Sequence, residues 1–245
     1  MLKRAQLKRS NKTILVIAFL AIAAAMSVSA SAQTTKYQIQ RMSGWQSCDA
    51  CAGAGGSGPT ANEWSAAGVR SPSLSGNSRV FSISSTHSWA DALWWKQLGA
   101  VNTAHNIVYD LYFYIKNPAA SQALEFDSNQ ANGKKRWIFG TECSIGGGVW
   151  KVWGNANGNW ISTGIPCHAP TAYKWHHLTW EFKRTDSGSL TFVAMTYDGV
   201  KHYINRTYWA RSSWVNELNV AFQMDQRANH VSYQTWLDNV SLKYW

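Results

Sequence analysis

The sequence has little charge and few long apolar runs, and each of these shortages excludes a class of protein. Charged residues make up 15% of the 245 residues, and five of the positive charges lie among the first twelve. The 213 residues left after position 32 (245 minus 32) hold 18 basic and 13 acidic side chains, with no Lys/Arg block. We therefore expect no nucleic-acid binding. No later apolar run is long enough to cross a bilayer, so no membrane span is expected either.

The first 32 residues have the organisation of a secretory signal peptide. Basic residues come first, Ile14 to Met26 form an apolar run of 13 residues, and Ala30-Ser31-Ala32 supplies an A-x-A cleavage signal. A membrane anchor is the alternative, but a spanning helix needs about 20 apolar residues. We therefore expect a secreted or periplasmic protein that begins at Gln33.

Cysteine is scarce, and all four cysteines follow the predicted signal segment. An even number in an exported chain favours disulfides, and we expect the pairs Cys48–Cys51 and Cys143–Cys167, although four cysteines allow three connectivities. "CDAC" resembles a redox motif, but no thioredoxin-like βαβ pattern surrounds it. A zinc site is disfavoured because Cys143 and Cys167 lack the short sequence spacing that a second pair of zinc ligands usually has.

Tryptophan is the residue that the chain has in excess, with 15 copies. A core of this size needs only a few tryptophans, and most of the remaining tryptophans must also pack between the sheets. The excess favours some exposed rings, which suit the apolar faces of sugars. The candidate platforms are Trp94, Trp95, Trp137 and Trp153.

The hydrophobic pattern divides the chain after the signal segment into two parts. Residues 33–78 are rich in Gly, Ser and Ala, which predicts little regular structure and a loop closed by Cys48–Cys51. From residue 79 to residue 245 the chain alternates with period two in ten to twelve short strands, without a long amphipathic helix or a fixed-period repeat. This pattern predicts one all-β domain, a two-sheet antiparallel jelly-roll sandwich.

Several predicted strands combine an apolar face with a face of carboxylates, amides and tyrosines. A solvent face is the alternative, but such faces usually carry Lys, Thr and Glu, whereas amides and tyrosines suit a sugar groove. The residues that share these faces are Asp110, Tyr112 and Tyr114; Glu125, Asp127 and Asn129; and Gln223 and Asp225.

The stretch "LEFDSNQ" (residues 124–130) resembles the catalytic strand of laminarinase- and lichenase-type glycoside hydrolases, in the concanavalin A-like lectin/glucanase superfamily. Those enzymes carry E-x-D-x-x-E or E-x-D-x-E. Two further stretches are similar to the strands that follow in these enzymes: "YKWHHLTWEFKR" (173–184) and "TWLDNVSLKYW" (235–245). The resemblance covers residues 79–245 and implies a concanavalin A-like sandwich.

The resemblance implies roles for Glu125 as nucleophile and Asp127 as its helper. The acid/base position falls on Asn129 or Gln130, depending on whether the strand has a bulge. Neither amide can deliver a proton, whereas retaining hydrolysis needs two carboxyl groups about 5–5.5 Å apart. The motif therefore favours glycan binding over catalysis.

We expect a secreted, lectin-like protein that holds a polysaccharide on its concave face, and whether it is also an enzyme stays open. The alternative is a glycoside hydrolase or polysaccharide lyase whose acid comes from another strand, with Asp110, Glu142 or Asp225 available. A lyase could draw on Tyr112, Tyr114, Arg136 and His177. A structural, hydrogen-bonding role is nevertheless the expectation for both of the adjacent histidines, His176 and His177. A matrix domain without a glycan site is the third hypothesis.

The superfamily resemblance also implies a structural Ca²⁺, with Asp238 in "WLDNV" as its ligand. A turn-capping or surface aspartate is the alternative, because calcium needs six to eight oxygen ligands. No other cofactor is expected, and the oligomeric state is not predicted.

Overall fold

The computed structural model describes residues 32–49, 51, 60–156 and 158–245, so the predicted signal segment lies outside the described residues apart from Ala32. Within these ranges, no helix has the length and apolarity to span a membrane. Two short 3-10 turns occur, at Ile39–Arg41 and Pro118–Ala120. The described strands are β1 (Thr34–Lys36), β2 (Trp45–Cys48), β3 (Asn62–Val69), β4 (Ser78–Ser84), β5 (Asp91–Gln97), β6 (Asn106–Ile115), β7 (Ser121–Asn132), β8 (Lys135–Phe139), β9 (Thr141–Ser144), β10 (Val149–Gly154), β11 (Asn159–Pro166), β12 (Trp175–Arg184), β13 (Ser189–Tyr197), β14 (Val200–Trp209), β15 (Arg211–Ser212), β16 (Asn216–Gln226) and β17 (Tyr233–Tyr244).

The strands form two antiparallel sheets. Sheet A has the order β14-β13-β12-β6-β17-β4-β3, and β1 pairs with the far end of β17. Sheet B has the order β11-β10-β9-β7-β16-β5-β2, with β8 also on β7 and β15 on β8. The predicted all-β, two-sheet antiparallel sandwich is confirmed.

The core lies between the sheets and is built by the period-two alternation of their central strands. Phe126 of β7 and Phe222 of β16 are fully buried, and Phe126 meets Phe113 of sheet A with ring centroids 5.2 Å apart. Because successive side chains point to opposite faces, every second residue of β7 and β16 must then point away from the core. Those residues form the outward face of sheet B.

The segment 33–78 contains more structure than its composition predicts. Strands β1, β2 and β3 lie in it, and they pair with β17, β5 and β4 respectively. Backbone hydrogen bonds to strands that are distant in sequence order the described parts of this segment, which local propensity does not capture. Most of the loop predicted at Cys48–Cys51 lies outside the described residues. Both predicted disulfides, Cys48–Cys51 and Cys143–Cys167, are confirmed.

Candidate functional site

The outward side chains of β7 follow directly from the alternation in "LEFDSNQ". Leu124 and Phe126 enter the core, so Glu125, Asp127 and Asn129 share the outward face of sheet B. β7 pairs with β16 without a bulge from Leu124 to Asn132, so the third position of the motif is Asn129. We call this outward surface of sheet B the groove face.

An open groove of about 540 Å³ runs over the groove face. Its floor comes from the middle strands of sheet B, and its walls come from the aromatic and basic residues of the flanking strands. Cys51 lies at its edge, next to the end of β2. The principal polar and aromatic lining residues are Trp95, Glu125, Asp127, Asn129, Arg136, Trp153, Trp160, Arg211, Glu217 and Asn219.

Carboxyl groups crowd one end of the groove face. Glu125 is in register with Glu142 of β9 on one side and with Gln223 of β16 on the other. Asp225 is in register with Asp91 of β5. Gln223 connects the two groups because its Nε2 donates to Oε1 of Glu125 (2.8 Å) and to Oδ1 of Asp225 (2.9 Å). The strand pairing thus gathers acids from four strands.

The charge of this acidic cluster is only partly balanced. Lys151 of β10 forms an ion pair with Glu142, with Nζ 3.0 Å from Oε1. Burial raises the pKa of Glu125 well above its usual range, and the charges of the neighbouring carboxylates raise it further. Burial also raises the pKa of Asp127 to about 7, although the backbone N–H of Thr141, 2.8 Å from Oδ1, acts to lower it. Protons are therefore retained here near neutral pH.

Asp91 and Asp225 form a carboxyl pair within this cluster. Burial raises the pKa of Asp91 to about 6, against a hydrogen bond with Asp225 that lowers it. Burial and the charge of Asp91 raise the pKa of Asp225 well above its usual range. Two carboxyl groups can hydrogen-bond to each other only when one of them keeps its proton. The pair therefore shares one proton between its two carboxyl groups, and its remaining oxygens are acceptors.

The middle of the groove floor is a chain of amides. Asn129 Nδ2 donates to Oδ1 of Asn219 (3.0 Å), and Asn219 Nδ2 donates to Oε2 of Glu217 (3.0 Å). These bonds fix the orientation of Asn129 and leave its buried Oδ1 without a partner among the described residues. A buried acceptor without a partner costs about 1–3 kcal/mol. The amide chain is therefore a fixed part of the groove floor.

The other end of the groove is aromatic and basic. Trp153 of β10 and Trp160 of β11 are in register, and their rings meet edge to face with centroids 5.2 Å apart. Gly140 makes room for the first ring, since a Cβ at that position would lie 2.8 Å from the Trp153 Cβ. Arg136 also lines this end and forms an ion pair with Glu217, with Nε 2.9 Å from Oε1.

Five predicted site residues share the groove face with Glu125 and Asp127. Asn129, Trp95 and Trp153 line the groove directly. Gln223 and Asp225 lie on the same face within the acidic cluster, as predicted from the alternation of β16.

Three other predicted groove residues point into the core instead. Gln130 is fully buried, and its Oε1 accepts a hydrogen bond from Nε of Arg184 in sheet A (3.0 Å). Trp137 is also buried, with the Arg184 guanidinium 4.4 Å from its ring centroid. Trp94 is 1% exposed and packs against Phe81. The predictions for these residues are wrong because the register puts them on the inner face of sheet B.

The tyrosines predicted for the groove lie on the other sheet. Tyr112 and Tyr114 belong to β6 and point outward from sheet A, where Tyr112 stacks on His177 with centroids 4.3 Å apart. Asp110 lies on the same face and bonds to His177 Nε2 at 2.8 Å. The prediction is wrong for these residues because two polar strand faces do not have to belong to one sheet. This placement separates Tyr112, Tyr114 and His177 from Arg136, the fourth residue named for a lyase, which lines the groove of sheet B.

The surroundings of Asp238 do not fit a calcium ion. Its carboxylate accepts hydrogen bonds from the hydroxyls of Ser73 and Ser75, the backbone N–H groups of Leu74 and Ser75, and Gln40 Nε2. Hydrogen-bond donors surround its oxygens where a cation needs further oxygen ligands. Within the described ranges, no group of three His, Cys, Asp or Glu residues could hold a metal ion. Asp238 instead fastens the 73–75 loop to β17.

Sequence reasoning missed several groove residues that a longer pattern would have found. Glu217 and Asn219 continue the alternation of Gln223 and Asp225 toward the start of β16. Trp160 is directly opposite Trp153 in the antiparallel pairing of β10 and β11. Arg211 had no signal, because β15 is two residues long and its position depends on its pairing with β8.

No family model matches this chain, and no curated protein matches it. Among solved structures, the chain is similar to a carbohydrate-binding module of the β-sandwich superfamily (9% identity, TM-score 0.47, 86% of this chain and 62% of that one). It is also similar to a carbohydrate esterase of the Shiga toxin-encoding bacteriophage phi24B (13%, 0.45, 87% and 99%) and to lectin II of Ulex europaeus (11%, 0.40, 81% and 97%). The chain spans less than two thirds of the first of these, and likenesses at this level assign no activity.

Proposed function

We propose that the chain binds a polysaccharide along the groove face of sheet B. One observation supports this most directly: a single open groove of about 540 Å³ combines tryptophan rings with carboxyl and amide groups. Half-exposed rings such as Trp95 and Trp153 suit the apolar faces of sugar rings. The acids and the amide side chains of the groove face supply donors and acceptors for hydroxyl groups. The two disulfides are compatible with the predicted export.

The test is retention of the chain on a panel of immobilised polysaccharides, with Trp153→Ala as the diagnostic variant. Removing this ring takes away a stacking platform, so we expect a loss of affinity of about tenfold or more, which corresponds to ~1.4 kcal/mol. Trp64→Ala is the control, because Trp64 is an exposed tryptophan on β3 of sheet A. Equal losses in both variants, or no retention on any polysaccharide, would contradict the proposal.

Hydrolysis is a second candidate because Glu142 takes a position next to Glu125. Side chains in register on neighbouring strands have Cβ atoms about 4.5–5.5 Å apart. Side chains on such neighbouring Cβ atoms can bring their carboxyl groups to the separation of about 5–5.5 Å that retaining glycosidases use. Burial favours the protonated form of Glu125, whereas Lys151 stabilises the charge of Glu142. The pair therefore supplies one proton donor and one carboxylate, which the motif alone lacked.

The same panel distinguishes binding from hydrolysis when the release of reducing ends is measured beside retention. Hydrolysis predicts products with the wild-type chain and a loss of at least a hundredfold with either Glu125→Gln or Glu142→Gln. Retention without products would leave binding as the function. The laminarinase- and lichenase-type activity implied by the motif stays a prediction until that result.

A further inference from the structure

Two arginines meet at the aromatic end of the groove. β15 pairs with β8 so that Arg211 is directly in register with Arg136, and both line the groove. Like charges directly opposite each other on neighbouring strands are destabilising. A site that places two arginines opposite each other from distant parts of the chain is suited to binding an anion.

The position of Arg211 is fixed by backbone groups. Its Nε donates to the backbone oxygen of Asn155 at 2.6 Å. Gly158 has φ +64° and leaves space for the guanidinium, since a Cβ there would lie 2.7 Å from Nη2. A Cβ atom at position 158 would also lie 3.9 Å from Cζ2 of Trp153. Gly158 therefore has both the Arg211 guanidinium and the Trp153 ring as neighbours, and the two lie near each other. Arg211 is therefore held beside a stacking platform.

The two arginines differ in their charge balance. Glu217 forms an ion pair with Arg136, as described above. In the part of the chain that the structure describes, no carboxylate forms an ion pair with Arg211. The pair of arginines with Glu217 thus has a net charge of one positive unit, exposed at the wall of the groove.

The acidic cluster lies too far away to cancel this charge. Arg136 is level with Ala131 of β7, four residues from Asp127 and six from Glu125 along the same strand. At about 3.3 Å per residue, these separations are about 13 Å and 20 Å. Both exceed the screening length of about 8 Å at physiological ionic strength. The groove is therefore acidic at one end and basic at the other.

We infer that the Arg136–Arg211 end of the groove binds an anionic substituent of the glycan, a carboxylate or a sulfate. This inference rests on the proposed function. The sugar ring that carries the anion stacks on Trp153 or Trp160, and the guanidinium of Arg211 donates to the anion in its forked geometry. The ligand is thus an acidic polysaccharide, bound in one direction along the groove because only one end accepts the charge.

The inference is tested with oligosaccharides of glucose, mannose and galactose, each in neutral, C6-oxidised and sulfated form. Affinities are measured by calorimetry with the full chain at low and high salt. We expect at least one anionic form to bind about tenfold or more tightly than its neutral counterpart at low salt, with the preference reduced at high salt. Whether the oxidised or the sulfated form binds more tightly identifies the anion.

The diagnostic variant is Arg211→Gln, which should abolish the anionic preference, measured as the ratio of the affinities for the anionic and neutral forms of the same oligosaccharide. Arg211→Lys keeps the charge without the fork and should retain part of the preference. Arg70→Gln is the control, because Arg70 is an exposed arginine directly after β3 of sheet A. Equal binding of neutral and anionic forms, or an unchanged preference in Arg211→Gln, overturns the inference and leaves the proposed function intact. Failure of every oligosaccharide to bind refutes both.

Discussion

Replacing Asp127 by Asn should stabilise the protein at alkaline pH and have little effect at acid pH. Burial raises the pKa of Asp127 from its ordinary value of 3.8 to about 7, a difference of roughly 3 pH units. The folded chain then binds more protons than the unfolded chain between these values. The stability contributed by Asp127 is therefore fully present below pH 3.8 and is lost as the pH rises to about 7.

The structure sets the size of this effect. Each pH unit corresponds to about 1.4 kcal/mol, so the full loss is at most about 4 kcal/mol. Neighbouring carboxyl groups share the titration, and we expect about 2–4 kcal/mol at pH 8. An asparagine at position 127 keeps an oxygen that can accept from the N–H of Thr141. The substitution removes the buried charge and preserves this hydrogen bond.

Urea unfolding followed by tryptophan fluorescence measures this difference, with both disulfides intact. At pH 8, Asp127→Asn should have a free energy of unfolding about 2–4 kcal/mol above that of the wild type, and at pH 4 the two should agree within about 1 kcal/mol. Glu63→Gln on β3 is the control for the loss of one carboxylate from the other sheet. If Asp127→Asn is less stable than the wild type at pH 8, or differs equally at both pH values, the assignment of a buried, protonated carboxyl is wrong.

Three other substitutions test the placement of residues in the fold. Gln130→Ala should lower the free energy of unfolding by about 2–3 kcal/mol in urea titrations, because the buried Nε of Arg184 loses its acceptor; a loss below ~0.5 kcal/mol would argue against that contact. Tyr114→Ala should leave polysaccharide retention unchanged, since Tyr114 faces outward from sheet A, and weaker retention would place a glycan contact there. Replacing Cys143 and Cys167 together by Ser should cost about 3 kcal/mol, measured as a shift of the urea midpoint, because the pair closes a loop of 24 residues; an unchanged midpoint would contradict this.

The groove shows how far alternation along a strand can predict a site. Glu125, Asp127 and Asn129 share a face because side chains point to opposite sides with period two, and Gln223 and Asp225 follow the same rule. The same rule does not choose between Trp94 and Trp95. Only the pairing of β5 with β16 puts Trp95 over the groove and Trp94 in the core.

The sequence by itself determined the class of fold and the polar chemistry of β7 and favoured one of three cysteine pairings, because periodicity, residue type and cysteine spacing are local properties. The tertiary structure decided which polar faces belong to one surface. It separated Tyr112 from Glu125 by putting β6 and β7 in different sheets, and it brought Arg211 opposite Arg136. Alternation specifies the side of a strand on which a residue lies, whereas its neighbours across the sheet depend on the pairing of strands that are distant in the chain.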